Sequence, residues 1–277
     1  MPDAPYDPQR LAEFAASLAR SAGLRIRELR AAGVDIAATK SSINDVVTAA
    51  DRESERLLAA QILEQRPHDG ILGEEGADIA GTSGITWVVD PIDGTVNYLY
   101  DIPAYAVSVA ATVSDGRPGT MADGRRAVAG AVYLPVTDEL YTAWEGGGAY
   151  LDGARLPRVS ETALGTALIA TGFSYTVERR TEQAEVLRSI LPRVRDIRRL
   201  GSAAADLCMA AAGKVDAYYE RGLNPWDYAA GALIAREAGA AVLGLDGEAP
   251  GTSMIIAAAP GLADELAAAV SEAYRAR

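Results

Sequence analysis

The residues best placed to do chemistry lie in Trp87-Val88-Val89-Asp90-Pro91-Ile92-Asp93-Gly94-Thr95-Val96-Asn97. Asp90 and Asp93 are spaced i, i+3, with the Ile92 carbonyl between them. Carboxylates and a carbonyl are hard oxygen donors, the set that Mg²⁺ takes together with a substrate phosphate. The stretch opens as a buried strand, because Val88 and Val89 are apolar and β-branched. It is expected to stop at Pro91, which fixes its own φ and cannot donate to a ladder. Gly94 permits a tight turn, and Thr95 can cap a helix that follows. Either aspartate alone is equally well described as an acid in a turn closing a strand.

Further acids have the same two readings. Glu74 and Glu75 follow Ile71-Leu72-Gly73 and precede Gly76. Adjacent carboxylates repel each other unless a cation or solvent relieves them, and a solvated acidic turn would also do. Asp227 follows Asn224-Pro225-Trp226 in the first turn of an expected helix, where an acid complements the helix dipole. Thr48-Ala49-Ala50-Asp51 reads as a capping box, with Asp as a short substitute for Glu. Ser202 can cap an Ala-rich helix. Glu220, taken alone, is a surface acid, and Lys40 an ordinary surface lysine.

Three blocks in order, Gly73-Glu74-Glu75-Gly76, Asp90-Pro91-Ile92-Asp93-Gly94-Thr95 and Pro225-Trp226-Asp227, resemble the inositol monophosphatase family. The resemblance extends from residue 40 to residue 239 and carries specific implications. Glu74, Asp90, the Ile92 carbonyl, Asp93 and Asp227 would bind two or three Mg²⁺ ions, with Glu75 an outer-site candidate. Glu74 and Thr95 would orient the attacking water. Asp51, in Val47-Thr48-Ala49-Ala50-Asp51, would hydrogen-bond Thr95. Backbone N–H groups of Gly94 and Thr95 would receive phosphate oxygens, as helix starts do. Lys40 matches a family lysine on a loop near the metals. Arg199-Leu200-Gly201-Ser202-Ala203 and Asp216-Ala217-Tyr218-Tyr219-Glu220 match the inositol subgroup, so Ser202, Ala203 and Glu220 would contact the polyol. The implied fold is a five-layer α-β-α-β-α sandwich of the sugar-phosphatase type, within the layered α/β (α+β) class. The implied assembly is a homodimer.

Other hydrolase chemistries lack their residues. His68 is the sole histidine and sits in the turn-like Arg66-Pro67-His68-Asp69-Gly70, which supports neither a histidine nucleophile nor a Ser-His-Asp triad. Cys208, the sole cysteine, lies in an apolar helical segment without a basic phosphate loop and reads as core. Asp90-Pro91-Ile92-Asp93 has two residues between its acids, not the one of the Asp-x-Asp haloacid-dehalogenase pair.

The elements that must position these residues follow from periodicity. Helices are expected over Pro8–Ala32, Ala49–Gln65, 177–191, 202–213, 225–238 and 261–276, and strands over 71–73, Ala106–Val113, 127–133, Glu139–Trp144, 167–171 and 216–219. Asp152-Gly153 marks a hairpin turn, and 115–126 is a polar, glycine-containing insertion. The alternation of helices and strands indicates a layered α/β chain. Residues 1–150 are expected to form an N-terminal lobe carrying most of the metal ligands. Residues 151–277 would form a second lobe with the substrate-side residues and Asp227, the two making one catalytic unit.

Composition narrows the partners. The 277 residues are 49% hydrophobic, enough for a large core, and carry a formal net charge of −12. That acidity disfavours direct nucleic-acid or anionic-membrane binding and would repel a phosphate ester unless metal reversed the local field. One cysteine permits no intrachain disulfide, and neither a signal peptide nor a membrane span is evident, so a cytoplasmic protein is expected. The Arg188, Arg193, Arg195, Arg198 and Arg199 group reads as a solvated face or an interface. The activity that the family resemblance implies is hydrolysis of inositol 1-phosphate by a metal-activated water. Histidinol phosphate, a nucleotide phosphate or fructose 1,6-bisphosphate are alternative substrates. A regulatory, RNA-polymerase-associated role is an alternative of a different class, as some bacterial relatives act that way.

Overall fold

Strand periodicity sorts side chains between layers, and the central strand shows it first. Along Ile85–Asp93, Trp87 and Val89 enter one apolar cluster while Val88 enters another on the opposite face. The neighbouring Ala106–Val113 does the same, with Val107 and Val109 on one side and Ala106 and Ala110 on the other. Such a sheet must be covered on both faces, and helices cover it.

The computed structural model describes residues 6–33, 36–39, 46–116 and 120–276. Residues 40–45, Lys40 among them, and residues 117–119 of the insertion lie outside the described residues. In chain order the helices are α1 (Pro8–Ala32), α2 (Ala49–Gln65), α3 (Thr95–Tyr100), α4 (Val177–Ile190), α5 (Ala203–Ala211), α6 (Pro225–Glu237) and α7 (Pro260–Arg275). The strands are β1 (Ile36–Thr39), β2 (Val46–Thr48), β3 (Gly70–Gly73), β4 (Asp78–Ile79), β5 (Ile85–Asp93), β6 (Ala106–Val113), β7 (Arg126–Leu134), β8 (Glu139–Trp144), β9 (Gly148–Leu151) and β10 (Ala154–Arg155). They continue with β11 (Leu168–Thr171), β12 (Asp196–Arg198), β13 (Ala217–Glu220), β14 (Ala241–Leu243) and β15 (Ile255–Ala258).

An eight-stranded sheet has the order β10-β9-β8-β7-β6-β5-β3-β4, and a five-stranded sheet the order β12-β11-β13-β15-β14. Both are mixed: β3 is parallel to β5, and β11 is parallel to both β12 and β13, while the other pairs are antiparallel. α1 and α2 lie on the outer face of the eight-stranded sheet. α5 and α6 fill the space between the sheets, and α4 and α7 cover the far face of the five-stranded sheet. The layers therefore run α-β-α-β-α, as expected.

Local rules account for the long elements. α1 starts at Pro8 with Asp7 accepting from the Gln9 and Arg10 N–H groups, and ends where the Gly33 N–H returns to the Arg30 carbonyl. Its Leu11, Ala15, Leu18, Ala22 and Ile26 are buried at helical spacing. α5 and α6 present mostly alanine, which lets two helices share the narrow middle layer. The two sheets are also tied by one side chain. The Asn97 amide donates to the Ala104 carbonyl at 2.6 Å and to the Leu200 carbonyl at 2.7 Å.

Three expectations are corrected. β5 does not stop at Pro91 but runs to Asp93, because its ladder with β6 shifts between Asp90 and Asp93. An irregularity there tolerates the missing proline N–H. The helix from Val177 ends at Ile190, and Leu191–Arg193, with Pro192, forms a 3₁₀ turn. The region between 239 and 261, where periodicity indicated nothing, holds β14 and β15. β14 is three residues long and β15 four, too short to show a period of their own.

Candidate metal centre

β5 brings Asp90 and Asp93 to one end of the eight-stranded sheet, both buried. Asp90 Oδ1 accepts from the Ile92 N–H at 3.0 Å, which sets the turn of the chain between the two acids. Gly94 then takes φ 95°, a left-handed conformation, and a Cβ there would crowd the Ala104 and Gly201 carbonyls. Gly94, not Thr95, is the N-cap residue of α3, and no side chain caps that helix. The Thr95 hydroxyl is engaged elsewhere: it lies 3.0 Å from Asp51 Oδ1 and 3.0 Å from the Ile92 carbonyl.

Asp51 is fully buried. Its Oδ2 accepts from the Thr48 N–H at 2.7 Å and the Thr48 hydroxyl at 2.5 Å, completing the expected capping box. Its Oδ1 remains for Thr95. Helix capping and contact with the acidic turn are thus one arrangement. Burial pushes the Asp51 carboxyl up to about 6, against the lowering effect of the Thr48 and Thr95 hydrogen bonds.

Asp93 reaches the other way, to the start of α5. Its Oδ2 accepts from the Ser202 hydroxyl at 2.7 Å and the Ala204 N–H at 2.6 Å. Ser202 also caps α5 by accepting from the Ala205 N–H. Burial raises the Asp93 carboxyl to about 6, while those donors and the Arg199 charge pull it down. Asp227 lies in the first turn of α6, with its Oδ2 accepting from the Asn224 N–H at 2.6 Å. The Ser108 hydroxyl donates to the Trp226 carbonyl at 3.2 Å and pins that turn to β6.

These local arrangements converge. Carboxylate oxygens of Asp90, Asp93 and Asp227 lie within 4.8 Å of one another. Glu74, in the turn after β3, lines the same cavity as these three acids. Asp90 and Asp227 are raised well above the ordinary carboxylate range, first by burial and then by the surrounding acids, Glu74 foremost. Four acids so confined repel one another unless protonated or bridged by a cation. The donor set is all hard oxygen, which fits a divalent cation of the Mg²⁺ type.

The same acids line a cavity of about 190 Å³. Its wall includes Ile92, Gly94, Thr95, Ala203 and Glu220, and also Phe173, Tyr175, Arg199 and Trp226. Ser202 is buried behind that wall. Glu75 lies outside the cavity, on the α2 side of the same turn, where Arg52 and Arg56 are its neighbours. Tyr218 donates to Glu220 Oε2 at 2.7 Å, and burial pushes the Glu220 carboxyl up to about 7. Lys40 lies outside the described residues.

Sequence reasoning missed Arg199 as a cavity residue, because it reads there as one of five arginines on a solvated face. It also missed Phe173 and Tyr175, which carry no motif. His68 is exposed and Cys208 is buried in the middle layer, as expected. No helix among the described residues is long and apolar enough to cross a membrane.

Comparison with known proteins agrees with this geometry. The sequence pattern of the Inositol monophosphatase family matches residues 7–276. Inositol-1-monophosphatase SuhB of Mycobacterium tuberculosis is 47% identical over 283 residues, covering 95% of this chain and 94% of that protein. The solved structure of Mycobacterium tuberculosis SuhB superposes with a TM-score of 0.79 over 96% of this chain and 98% of that one, at 46% identity. Nus factor SuhB of Vibrio cholerae is 40% identical over 226 residues, 81% of each protein. A match across nearly the whole chain, together with the acids gathered at the ends of β3 and β5 and the start of α6, places this protein in the inositol monophosphatase family.

Proposed function

We propose that the chain is a Mg²⁺-dependent phosphatase that hydrolyses inositol 1-phosphate to inositol and phosphate. The observation that carries this reading is the convergence of Asp90, Asp93 and Asp227 within 4.8 Å, in a cavity also lined by Glu74, Thr95 and Glu220. The relatives named inositol-1-monophosphatase, at 47% identity over 95% of the chain, support the choice of inositol.

Glu74, Asp90, the Ile92 carbonyl, Asp93 and Asp227 would hold two or three ions. When bound, such cations supply Lewis-acid polarisation of the phosphoryl group and acidify a coordinated water. The protein's own groups do the rest. Thr95 has one proton and two acceptors within reach, the Asp51 carboxylate and the Ile92 carbonyl. The carboxylate is the stronger acceptor, so it takes the proton and leaves the carbonyl available as a ligand. The Thr95 oxygen then keeps a lone pair to accept one O–H of the attacking water, and Glu74 accepts the other. Backbone N–H groups of Gly94 and Thr95 receive phosphate oxygens. Beyond the phosphate, Glu220 and Ala203, which line the cavity, meet the inositol hydroxyls, while Ser202 behind them is committed to Asp93 and supports that wall. The eight-stranded lobe supplies most ligands and the second lobe supplies Asp227, so the two act as one catalytic unit, here proposed to work as a cytoplasmic homodimer.

Release of phosphate from a panel of inositol 1-phosphate, histidinol phosphate, nucleotide monophosphates and fructose 1,6-bisphosphate, with Mg²⁺ and with chelator, tests the reading. Fastest turnover of another ester would reassign the substrate, and no Mg²⁺-dependent release from any ester would refute the phosphatase reading. The kinship with proteins named Nus factor SuhB favours a second, regulatory reading. Retention of the full acid set favours catalysis over a vestigial site.

A further inference from the structure

α2 carries two buried acids one turn apart, Asp51 and Glu55. Residues at i and i+4 share a face, separated by about 6 Å along the axis. Asp51 reaches the turn after β5. Glu55 reaches a different segment, the turn that holds Glu74. Its Oε2 accepts from the Glu75 N–H at 2.8 Å, and its Oε1 accepts from the Ala77 N–H at 2.9 Å.

We infer that Glu55 is a positioning residue that sets the metal affinity of the site by holding the Glu74 turn in its ligating conformation. The inference rests on Glu74 acting as a metal ligand. The Glu75 N–H belongs to the planar peptide that begins at the Glu74 carbonyl. Fixing that N–H on Glu55 fixes the plane, and with it the backbone direction at Glu74. The turn is closed from within by the Gly73 N–H to the Ala77 carbonyl at 2.7 Å. β3 and β4 then pair Leu72 with Asp78 and Ile71 with Ile79. Glu55 is the clamp supplied from outside the turn, through two charge-assisted hydrogen bonds in a buried setting.

Gly73 supports the same conclusion independently. It has no left-handed φ that would require glycine. A Cβ at Gly73 would instead collide with the Glu55 carboxylate, so the glycine is there to let Glu55 approach the turn. α2 thus acts as a bracket, one acid for the turn bearing Thr95 and one for the turn bearing Glu74. Partners outside the ligand set of metal sites commonly matter to this degree, with losses of about 10- to 100-fold in affinity when removed.

The test is direct binding of Mn²⁺ alone to metal-free protein, followed by calorimetry well below each variant's unfolding temperature. Glu55→Gln should weaken binding by about 10-fold or more, and the amide protons of Glu75 and Ala77 should exchange faster. Gly73→Ala keeps the Glu55 charge but displaces its carboxylate, and should weaken binding in the same direction. Glu64→Gln, at an exposed position on α2, should leave the affinity unchanged. Wild-type affinity in both Glu55→Gln and Gly73→Ala overturns the inference. So does weakening in Glu55→Gln alone, since charge and not the held turn would then be responsible. A wild-type protein that binds no Mn²⁺ overturns the metal reading itself, a result distinct from either.

Discussion

Thr95 Oγ1 lies 3.0 Å from Asp51 Oδ1, joining the acidic turn after β5 to the first turn of α2 across 44 residues of sequence. The other Asp51 oxygen is committed to Thr48. Of the two acceptors within reach of the Thr95 proton, the Asp51 carboxylate is the stronger, and in the proposed mechanism this leaves the far side of the hydroxyl to accept from water. Thr95→Ala should lower kcat on inositol 1-phosphate by about 10²-fold or more, the scale of a general acid–base contribution. KM should move far less. Asp51→Asn should lower kcat in the same way and also destabilise the fold by about 1 kcal/mol through the weakened cap. A rise in KM as the main effect of Thr95→Ala would assign Thr95 to phosphate binding.

Asp93→Asn should fold, because an amide oxygen can still accept from Ser202 and Ala204. It should lose most activity, because a neutral amide is a weak ligand for a hard cation. Chelator should abolish turnover in the wild type, and added Mg²⁺ should restore it. Turnover near the wild-type rate in either the variant or the chelated enzyme is incompatible with metal-assisted hydrolysis.

The buried acids make a statement about stability without metal. Burial raises Asp51 and Asp93 to about 6 and Glu220 to about 7, and pushes Asp90 and Asp227 up as well. These folded-state values lie above those of the unfolded chain, so the folded state holds more protons between pH 4 and pH 7. The contribution of these groups is fullest below the unfolded values and is lost as pH rises through the folded ones. In EDTA, Tm should therefore fall between pH 5 and pH 8. Mg²⁺ should raise Tm more at pH 8 than at pH 5, because protons compete with the cation for the same oxygens. Scanning calorimetry at both values checks the sign, and a Tm that climbs with pH in EDTA contradicts it.

Glu220, on the cavity wall, is expected to separate inositol 1-phosphate from esters of simpler alcohols. A hydrogen bond to a charged group is worth roughly 1.5–3 kcal/mol. Glu220→Ala should thus lower kcat/KM on inositol 1-phosphate by about one to two powers of ten. Glu220→Gln should cost less, since one acceptor remains. Glycerol 2-phosphate should be affected less than inositol 1-phosphate in both variants. Equal losses on the two esters would make Glu220 a support for the metal site or the fold.

Pieces whose causes are local were legible in the order of the amino acids. Thr48 and Asp51 had to cap α2, Pro8 and Gly33 had to bound α1, and Asp90 and Asp93 had to lie near each other at the end of a buried strand. Each depends on neighbours within one helical turn or a few strand residues, which a single sequence displays directly. The motif order further identified the family, and with it the layered fold.

Which segments meet was settled by packing between distant parts of the chain. Asp227 joins Asp90 and Asp93 because Ser108 on β6 holds the start of α6, and Asp93 also anchors α5 through Ser202 and Ala204. Pro91 stays inside β5 because the ladder to β6 shifts beside it. β15 exists because β13 offers it an edge, and β14 because β15 offers the next, their own four and three residues being too few to carry a period. Glu55 and Gly73 look unrelated in sequence, yet one leaves the space that the other fills. In each case the deciding energy is a contact between segments distant along the chain, and propensity and periodicity register only neighbours.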